Sequence, residues 1–299
     1  MRRSKVRTLK VRTLKKRQSG RTRRELPAAK FRRALTALLF FALAACTEPE
    51  PPDYGAVFDG SAGRWIDLTH AFGPSTVYWP TDTAGFQLEE LAYGPTEGGW
   101  FYSSYAFSSA EHGGTHLDAP IHFAEGRLTT DEIPLSGLIG PAAVVDVTEQ
   151  VHPDYLVTVD DLTAWEAVHG PLPDGGILLL RTGWAERWDD PTAYLGTDEV
   201  GPDAVAQLHF PGFSPDAAGW LAAERGIVAV GIDTPSIDYG RSADFAAHVA
   251  LYSENIAGFE NVANLDLLPQ AGAYVVALPM KIEGGSGGPL RIVAFVPSG

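Results

Sequence analysis

Apolar residues along this chain gather in short unbroken runs, separated by glycine, proline and acidic residues. Runs rich in Val, Ile and Leu occupy 141–147, 176–181, 226–232, 273–279 and 290–296. Continuous apolar segments of this length, bounded by turn residues, predict strands buried on both faces. Residues 160–168 and 214–224 instead carry polar N-cap residues, early acids and apolar positions at helical spacing, which predicts two helices, the second closed by Gly226. Strands mixed with helices predict an α/β fold: a single domain over 64–299 with a mixed β-sheet core and flanking helices. The 32 glycines and 22 prolines predict long ordered loops around that sheet, where site residues commonly sit.

The first 63 residues break the pattern. Fifteen of the 23 Lys and Arg fall within residues 1–33, and a mostly apolar stretch of twelve, Ala34 to Ala45, follows. Twelve residues are too few to span a bilayer as a helix, which takes about 20. A basic segment, a short apolar segment and then Leu43-Ala44-Ala45-Cys46 are the order of a secretory leader. The last four residues resemble the lipobox of bacterial lipoproteins, which implies cleavage after 45 and lipidation of Cys46. Residues 1–45 are therefore expected to be a signal peptide, and 46–63 an acidic, proline-rich tether. The expected location is the bacterial cell envelope, facing the periplasm, with the lipid anchor as the only membrane contact. Thr22-Arg23-Arg24-Glu25-Leu26 resembles a twin-arginine signal, and the tandem Lys-Val-Arg-Thr-Leu leaves a later start codon open.

Charge narrows the partners. The net charge is -14, but from Cys46 onward eight Lys and Arg face 36 Asp and Glu, a balance of -28. Such a body repels phosphate backbones, so nucleic acid is not an expected partner. The single cysteine excludes an internal disulfide, a Cys-rich zinc site and a Cys-ligated iron–sulfur cluster. Any bound metal must be held by His, Asp and Glu.

Candidate ligands of that kind are concentrated in Glu111-His112-Gly-Gly-Thr-His116-Leu-Asp118-Ala-Pro-Ile-His122-Phe123. Imidazole nitrogen and carboxylate oxygen suit zinc, manganese or iron. Adjacent Gly113 and Gly114 and the nearby Pro120 argue against a helix, while a straight strand would hold His112 and His116 about 13 Å apart. A bend at the glycines brings them together. Beyond it, His116 and Asp118 point to one side of an extended segment. One ion then takes His112, His116 and Asp118. His122, four residues past Asp118, is too far along an extended chain to join easily and is better placed as an acid or base; a core histidine is the alternative.

This run, with Trp65-Ile-Asp-Leu-Thr-His70, Tyr78-Trp79-Pro80, Arg181-Thr-Gly-Trp184 and Gly231-Ile-Asp-Thr-Pro-Ser-Ile-Asp238, resembles the metal-dependent cyclase family, which includes bacterial kynurenine formamidases and isatin hydrolases. The shared pattern is His-x-Gly-Thr-His-x-Asp-x-Pro-x-His. The resemblance implies a swivelling β/β/α fold, two divalent ions per chain (Zn or Mn), a bridging Asp118, a second metal position completed by His248 and Glu260, His122 as proton shuttle, and a dimer or tetramer. Glu254 competes with Glu260 for the ligand role. Trp79 is a candidate to stack on a substrate ring, although Thr81 stands where the family pattern has glycine. The glycine-rich 281–289 segment offers either backbone N–H groups for an oxyanion or a tight turn. His152, His169 and His209 carry no ligand spacing, and His70 resembles a family position with no role that follows from its residues.

The expected activity is therefore hydrolysis of a small amide, N-formyl or cyclic, by metal-activated water, with His122 passing the proton. No serine or cysteine nucleophile is required for this chemistry. Two alternatives use the same site: a lyase or cyclase that stabilises an enolate, and a lipoprotein that binds a ligand through metal without turnover.

Overall fold

The computed structural model describes residues 54–298. The expected signal peptide, Cys46 and the first part of the tether lie outside the described residues. In chain order the strands are β1 Gly63–Asp67, β2 Gln87–Pro95, β3 Phe101–Ser108, β4 His116–Asp118, β5 Ile139–Asp146, β6 Leu156–Val157, β7 Ile177–Arg181, β8 Gly212–Phe213, β9 Ala229–Ile232, β10 Ala257–Glu260, β11 Ala271–Pro279 and β12 Gly287–Pro297. The helices are α1 Gly55–Phe58, α2 Val159–His169, α3 Pro191–Leu195, α4 Pro215–Glu224 and α5 Ala246–Tyr252. All five apolar runs form strands (β5, β7, β9, β11 and β12), and both helical patterns form helices (α2 and α4).

The main sheet runs β1-β12-β11-β5-β7-β9-β10-β4, and β4 pairs again with β12. Seven strands thus close into a barrel-like ring, with β1 extending along the rest of the β12 edge. Strands β5, β7, β9 and β10 are parallel neighbours, and the other pairings are antiparallel. Closure falls on β4, which lies between β10 and β12 with Glu260 and Pro289 both opposite His116.

The central strands bury both faces. Ala142, Val144, Ile177 and Leu179 join Leu117, Phe259, Val275 and Ile292 inside the ring. Their neighbours Ala143, Val145, Leu178 and Leu180 face outward onto a second core with Leu162 and Trp165 of α2, Leu221 of α4 and Leu251 of α5. Each fully buried leucine or isoleucine contributes about 1.5–3 kcal/mol relative to exposure, so unbroken apolar runs are what this geometry demands.

Local signals set the helices. Thr158 and Asp161 form a reciprocal capping box at the start of α2, and Ser214 caps α4. Gly226 does not close α4; the helix ends at Arg225, which is already extended. The expected tether also stops earlier than residue 63. Residues 54–63 are part of the folded unit, because Trp65 stacks on Phe58 and donates its indole N–H to the Val57 carbonyl.

Phe259 is completely buried inside the ring. Replacing Phe259 by Ala should cost about 3–5 kcal/mol, read as a lowered midpoint in chemical denaturation.

Candidate metal centre

The site is built where the ring closes. Gly113 pairs with Tyr78 in an isolated bridge, and a Cβ on it would lie 2.1 Å from the Tyr78 ring. Gly114 takes φ +60°, a left-handed conformation that glycine adopts without strain. The bend expected at these glycines is present, and it turns His112 back toward the strand that follows. In β4, Leu117 points into the ring, so His116 and Asp118 point to the other side.

His122 is a correction to the extended-chain reading. Pro120–His122 is a 3-10 turn with Pro120 in its first position and the His122 N–H on the Ala119 carbonyl, so the chain folds back. The His122 ring stacks on that of His112, with centroids 3.8 Å apart. The partition of ligands also differs from the expected one. His112, Asp118 and His122 form one group of donor atoms within reach of a single ion, and His116, Asp118 and Glu260 form another. Asp118 is common to both. His248, from α5, adds its Nε2 at 3.2 Å from Glu260 Oε1 and 3.4 Å from Asp118 Oδ2. Glu260 closes β10 in this cluster, whereas Glu254 is exposed.

The donor chemistry fits divalent metal. Asp118, Asp238 and Glu260 are buried, and their ion-pair partners among the described residues are histidines, with no Lys or Arg. Buried carboxylates need a positive partner. His116 supplies a second mark. Its Nδ1 lies 2.9 Å from the Gly114 carbonyl, which takes the ring proton there and leaves Nε2 with a lone pair. That Nε2 is buried, makes no hydrogen bond, and stands 3.1 Å from Asp118 Oδ1 and 3.4 Å from Glu260 Oε2. Three electron-rich atoms facing one point are arranged for a cation.

Without metal, protons supply the charge. Burial opposes the charged form of His116, but Asp118 and Glu260 outweigh it and push the imidazole up to about 10. Burial likewise opposes ionisation of Asp118, yet the surrounding histidines hold it well below the usual carboxylate range. His122 goes the other way: burial pushes it down to about 4, so its ring is neutral at pH 7.

Residues not singled out as site residues in the sequence orient these ligands. Asp238 lies 2.5 Å from His248 Nδ1 and also accepts the N–H groups of Ala247 and His248, so it fixes the ring and holds the start of α5. Tyr252, one turn beyond His248, donates to Asp118 Oδ2 at 3.0 Å. Ser286 donates its hydroxyl to Glu111 at 2.6 Å and stands 2.9 Å from His112 Nε2. Its hydroxyl proton being used on Glu111, it accepts from that ring, leaving His112 Nδ1 toward Asp118. Asn261 donates to the Gly114 carbonyl. The spacing of Tyr252, four residues after His248 on one helix, was the one readable signal among these.

A cavity of about 330 Å³ opens above the cluster, with Trp79, Phe123 and Phe245 among its walls. The Trp79 and Phe123 rings lie 6.3 and 5.0 Å from that of Phe245. Thr81 needs no glycine conformation, since its φ is not positive and the turn is closed by the Asp82 N–H on the Trp79 carbonyl. The 281–289 segment is a turn, not an oxyanion cradle: the N–H groups of Gly284, Gly285 and Ser286 are taken by Asp131, Ile282 and Glu111. His209 pairs with Asp154, His169 with Gln270, and His70 stacks on Trp188, all outside the cavity.

The cyclase family model matches residues 66–239. This chain belongs to that family. Among curated proteins it is 36% identical over 248 residues to an isatin hydrolase of Roseibium aggregatum, covering 78% of this chain and 91% of the relative. It is 31% identical over 232 residues to a kynurenine formamidase of Salinibacter ruber, covering 76% and 95%. Among solved structures, isatin hydrolase A from Ralstonia solanacearum superposes with TM-score 0.73 at 33% identity, covering 83% of this chain and 99% of that one. An isatin hydrolase bound to the product analogue thioisatinate superposes with TM-score 0.72 at 31% identity, covering 91% and 100%. The family match ends before His248 and Glu260, whose place in the site is read from geometry.

Replacing Asp238 by Asn should weaken divalent metal binding about 10–100-fold by freeing the His248 ring, as measured by competition with a chromogenic chelator. Loading metal into the metal-free protein at pH 7 should release protons, visible as a buffer-dependent heat in calorimetry.

Proposed function

We propose that this chain is a metal-dependent hydrolase that cleaves the amide of a small aromatic substrate, in a ring or as an N-formyl group. One observation carries the reading: five imidazole and carboxylate ligand candidates and His122 meet at the floor of one cavity walled by aromatic rings. The names of the relatives, isatin hydrolase and kynurenine formamidase, describe a cyclic amide and an N-formyl amide on aromatic compounds. His112, His116, Asp118, His248 and Glu260 would hold the metal, two ions sharing Asp118. When bound, divalent cations supply Lewis acidity toward the amide carbonyl and lower the pKa of an attacking water.

The chain's own groups do the rest. Trp79, Phe123 and Phe245 receive a flat ring by edge and face contacts and exclude bulk water from it. Tyr252 and Asp238 hold Asp118 and His248 still, so the ligands pay little reorganisation during reaction. His122 Nδ1 or Nε2, neutral at pH 7, takes the proton from the attacking water. It returns that proton to the amide nitrogen as the C–N bond breaks, leaving a carboxylic acid and an amine. The donor group formed by His112, Asp118 and His122 supports a second reading of this residue, as a ligand.

Zinc or manganese suits the all-N/O donor set. From the leader sequence alone, we also propose export to the cell envelope and lipidation of Cys46.

The purified chain should hydrolyse isatin or N-formylkynurenine when loaded with zinc or manganese, and incorporate heavy oxygen from labelled water into the acid. Absence of label in the product would favour a lyase. His122→Ala should lower kcat by about 10²–10⁴-fold while keeping the metal content of the wild type; loss of one metal equivalent would make His122 a ligand. Cys46→Ser should move the protein from the membrane to the soluble fraction on cell fractionation.

A further inference from the structure

The ring of His116 is oriented by the Gly114 carbonyl, yet that carbonyl sits in a bend of two adjacent glycines, whose backbone is the freest of any residue type. A ligand aimed by a pliable group needs the group itself to be held. Asn261 does this. Its Nδ2 donates to the same carbonyl at 2.7 Å, so an N–H of the amide and an N–H of the imidazole converge on one oxygen. Chemistry fixes which way the amide faces, because a carbonyl can only accept and therefore takes the Nδ2 end. The main chain of Asn261 is tied as well: its N–H bonds the Thr234 carbonyl, and its own carbonyl takes the Thr115 hydroxyl at 2.7 Å, which in turn accepts the His70 N–H. Its φ of +54° is a left-handed conformation that asparagine tolerates better than most residues.

The Oδ1 end of the amide points the other way, to the hydroxyl of Tyr194 at 2.9 Å. Tyr194 lies on α3, is completely buried, and is not among the walls of the cavity. Its hydroxyl is bracketed by two acceptors, Asn261 Oδ1 and the Asp233 carbonyl at 3.1 Å. Both sides are anchored. The Trp184 indole N–H holds the Tyr194 carbonyl at 2.8 Å, and the Trp188 ring meets the phenol edge-on with centroids 5.3 Å apart. The Asp233 carboxylate accepts the N–H groups of Thr182 and Gly183, which ties the end of β9 to that of β7.

We propose that Tyr194 is a positioning residue for the metal centre, acting through the Asn261 amide and the Gly114 carbonyl on the orientation of His116. The proposal rests on His116 being a metal ligand. Three hydrogen bonds in series connect the phenol to the imidazole. Loss of the hydroxyl leaves Asn261 Oδ1 buried without a donor, a cost the amide relieves by turning, and the Gly114 carbonyl and the imidazole turn with it. A packing role for Tyr194 has a different signature, because the ring and not the hydroxyl fills the space among Val77, Leu208 and Phe210. Tyr194→Phe separates the two, since it keeps the ring.

Competition with a chromogenic chelator and proton NMR of the zinc-loaded chain test this. Tyr194→Phe should keep the circular dichroism spectrum of the wild type, bind zinc about 3–10-fold more weakly, and speed solvent exchange of the His116 Nδ1–H. Asn261→Gly, which retains a backbone free to be left-handed, should weaken zinc binding about 10–100-fold. In that background Tyr194→Phe should add less than about twofold, because the link it acts through is gone. On the unaltered chain, the His116 Nδ1–H and one Asn261 Nδ2–H should both exchange slowly. Wild-type zinc affinity in Tyr194→Phe, a loss that adds in full to that of Asn261→Gly, or rapid exchange of either N–H in the unaltered chain would each overturn the inference and leave the metal centre standing. An unaltered chain that binds no zinc would overturn the metal centre itself, and this inference with it.

Discussion

Asp118 is a carboxylate buried at the seam of a closed sheet, without a lysine or arginine to balance it, and the rest of the site is arranged around that debt. Its two oxygens face His112, His116, His248 and Tyr252, which come from a loop, a strand and a helix. No single element could assemble that set. The ring does so because β4 pairs on both edges, so a three-residue strand is fixed from two sides. With β10 as one neighbour, Glu260 is opposite His116; with β12 as the other, Ser286 arrives beside His112. Burying such a charge is destabilising in isolation, and a low dielectric makes any cation that neutralises it bind correspondingly tightly.

The two-sided character of the central strands explains why the site can be rigid. Side chains alternate between the ring interior and the helical layer, so each strand is clamped by two cores. Helix α5 is held at its start by Asp238, which also orients His248, so helix position and ligand orientation depend on one carboxylate. Phe245, immediately before α5, has φ +50°, a conformation uncommon for a large aromatic residue. Its ring stands among Trp79, Phe123 and His248, where the cavity wall meets the metal ligands. Strain kept at this one position is consistent with a wall residue placed for the site rather than for the fold.

What could be read from the sequence follows the same physics. Strands buried on both faces are continuous apolar runs, so β5, β7, β9, β11 and β12 were legible. The β2–β3 ribbon was not, because its apolar residues come in threes, Leu91 to Tyr93, Trp100 to Tyr102 and Tyr105 to Phe107, broken by Glu, Gly and Ser, too short to read as buried runs. Strand β4 is too short to show any period. In the site, His112, His116 and Asp118 were legible as a dense motif, and the glycine bend followed from propensity. The place of His122 was misjudged because distance was counted along an extended chain, whereas Pro120 begins a turn that reverses it. Asp238, Ser286 and Asn261 are brought to the ligands only by tertiary structure, from 10 to 174 residues away in sequence, and no local spacing announces such partners.

The acidic body has a consequence for turnover under the proposed chemistry. Amide hydrolysis converts a substrate group without charge into a carboxylate. A neutral aromatic molecule entering between Trp79, Phe123 and Phe245 feels little of the field from a surface with a balance of -28. The product carries a negative charge into the same field and is repelled from the mouth of the cavity. Over distances within a Debye length, about 8 Å at physiological salt, that repulsion is not screened away. Cations held at the floor would polarise the carbonyl, whereas the acids outside act on departure, and both roles follow from where the few basic residues of the body are absent.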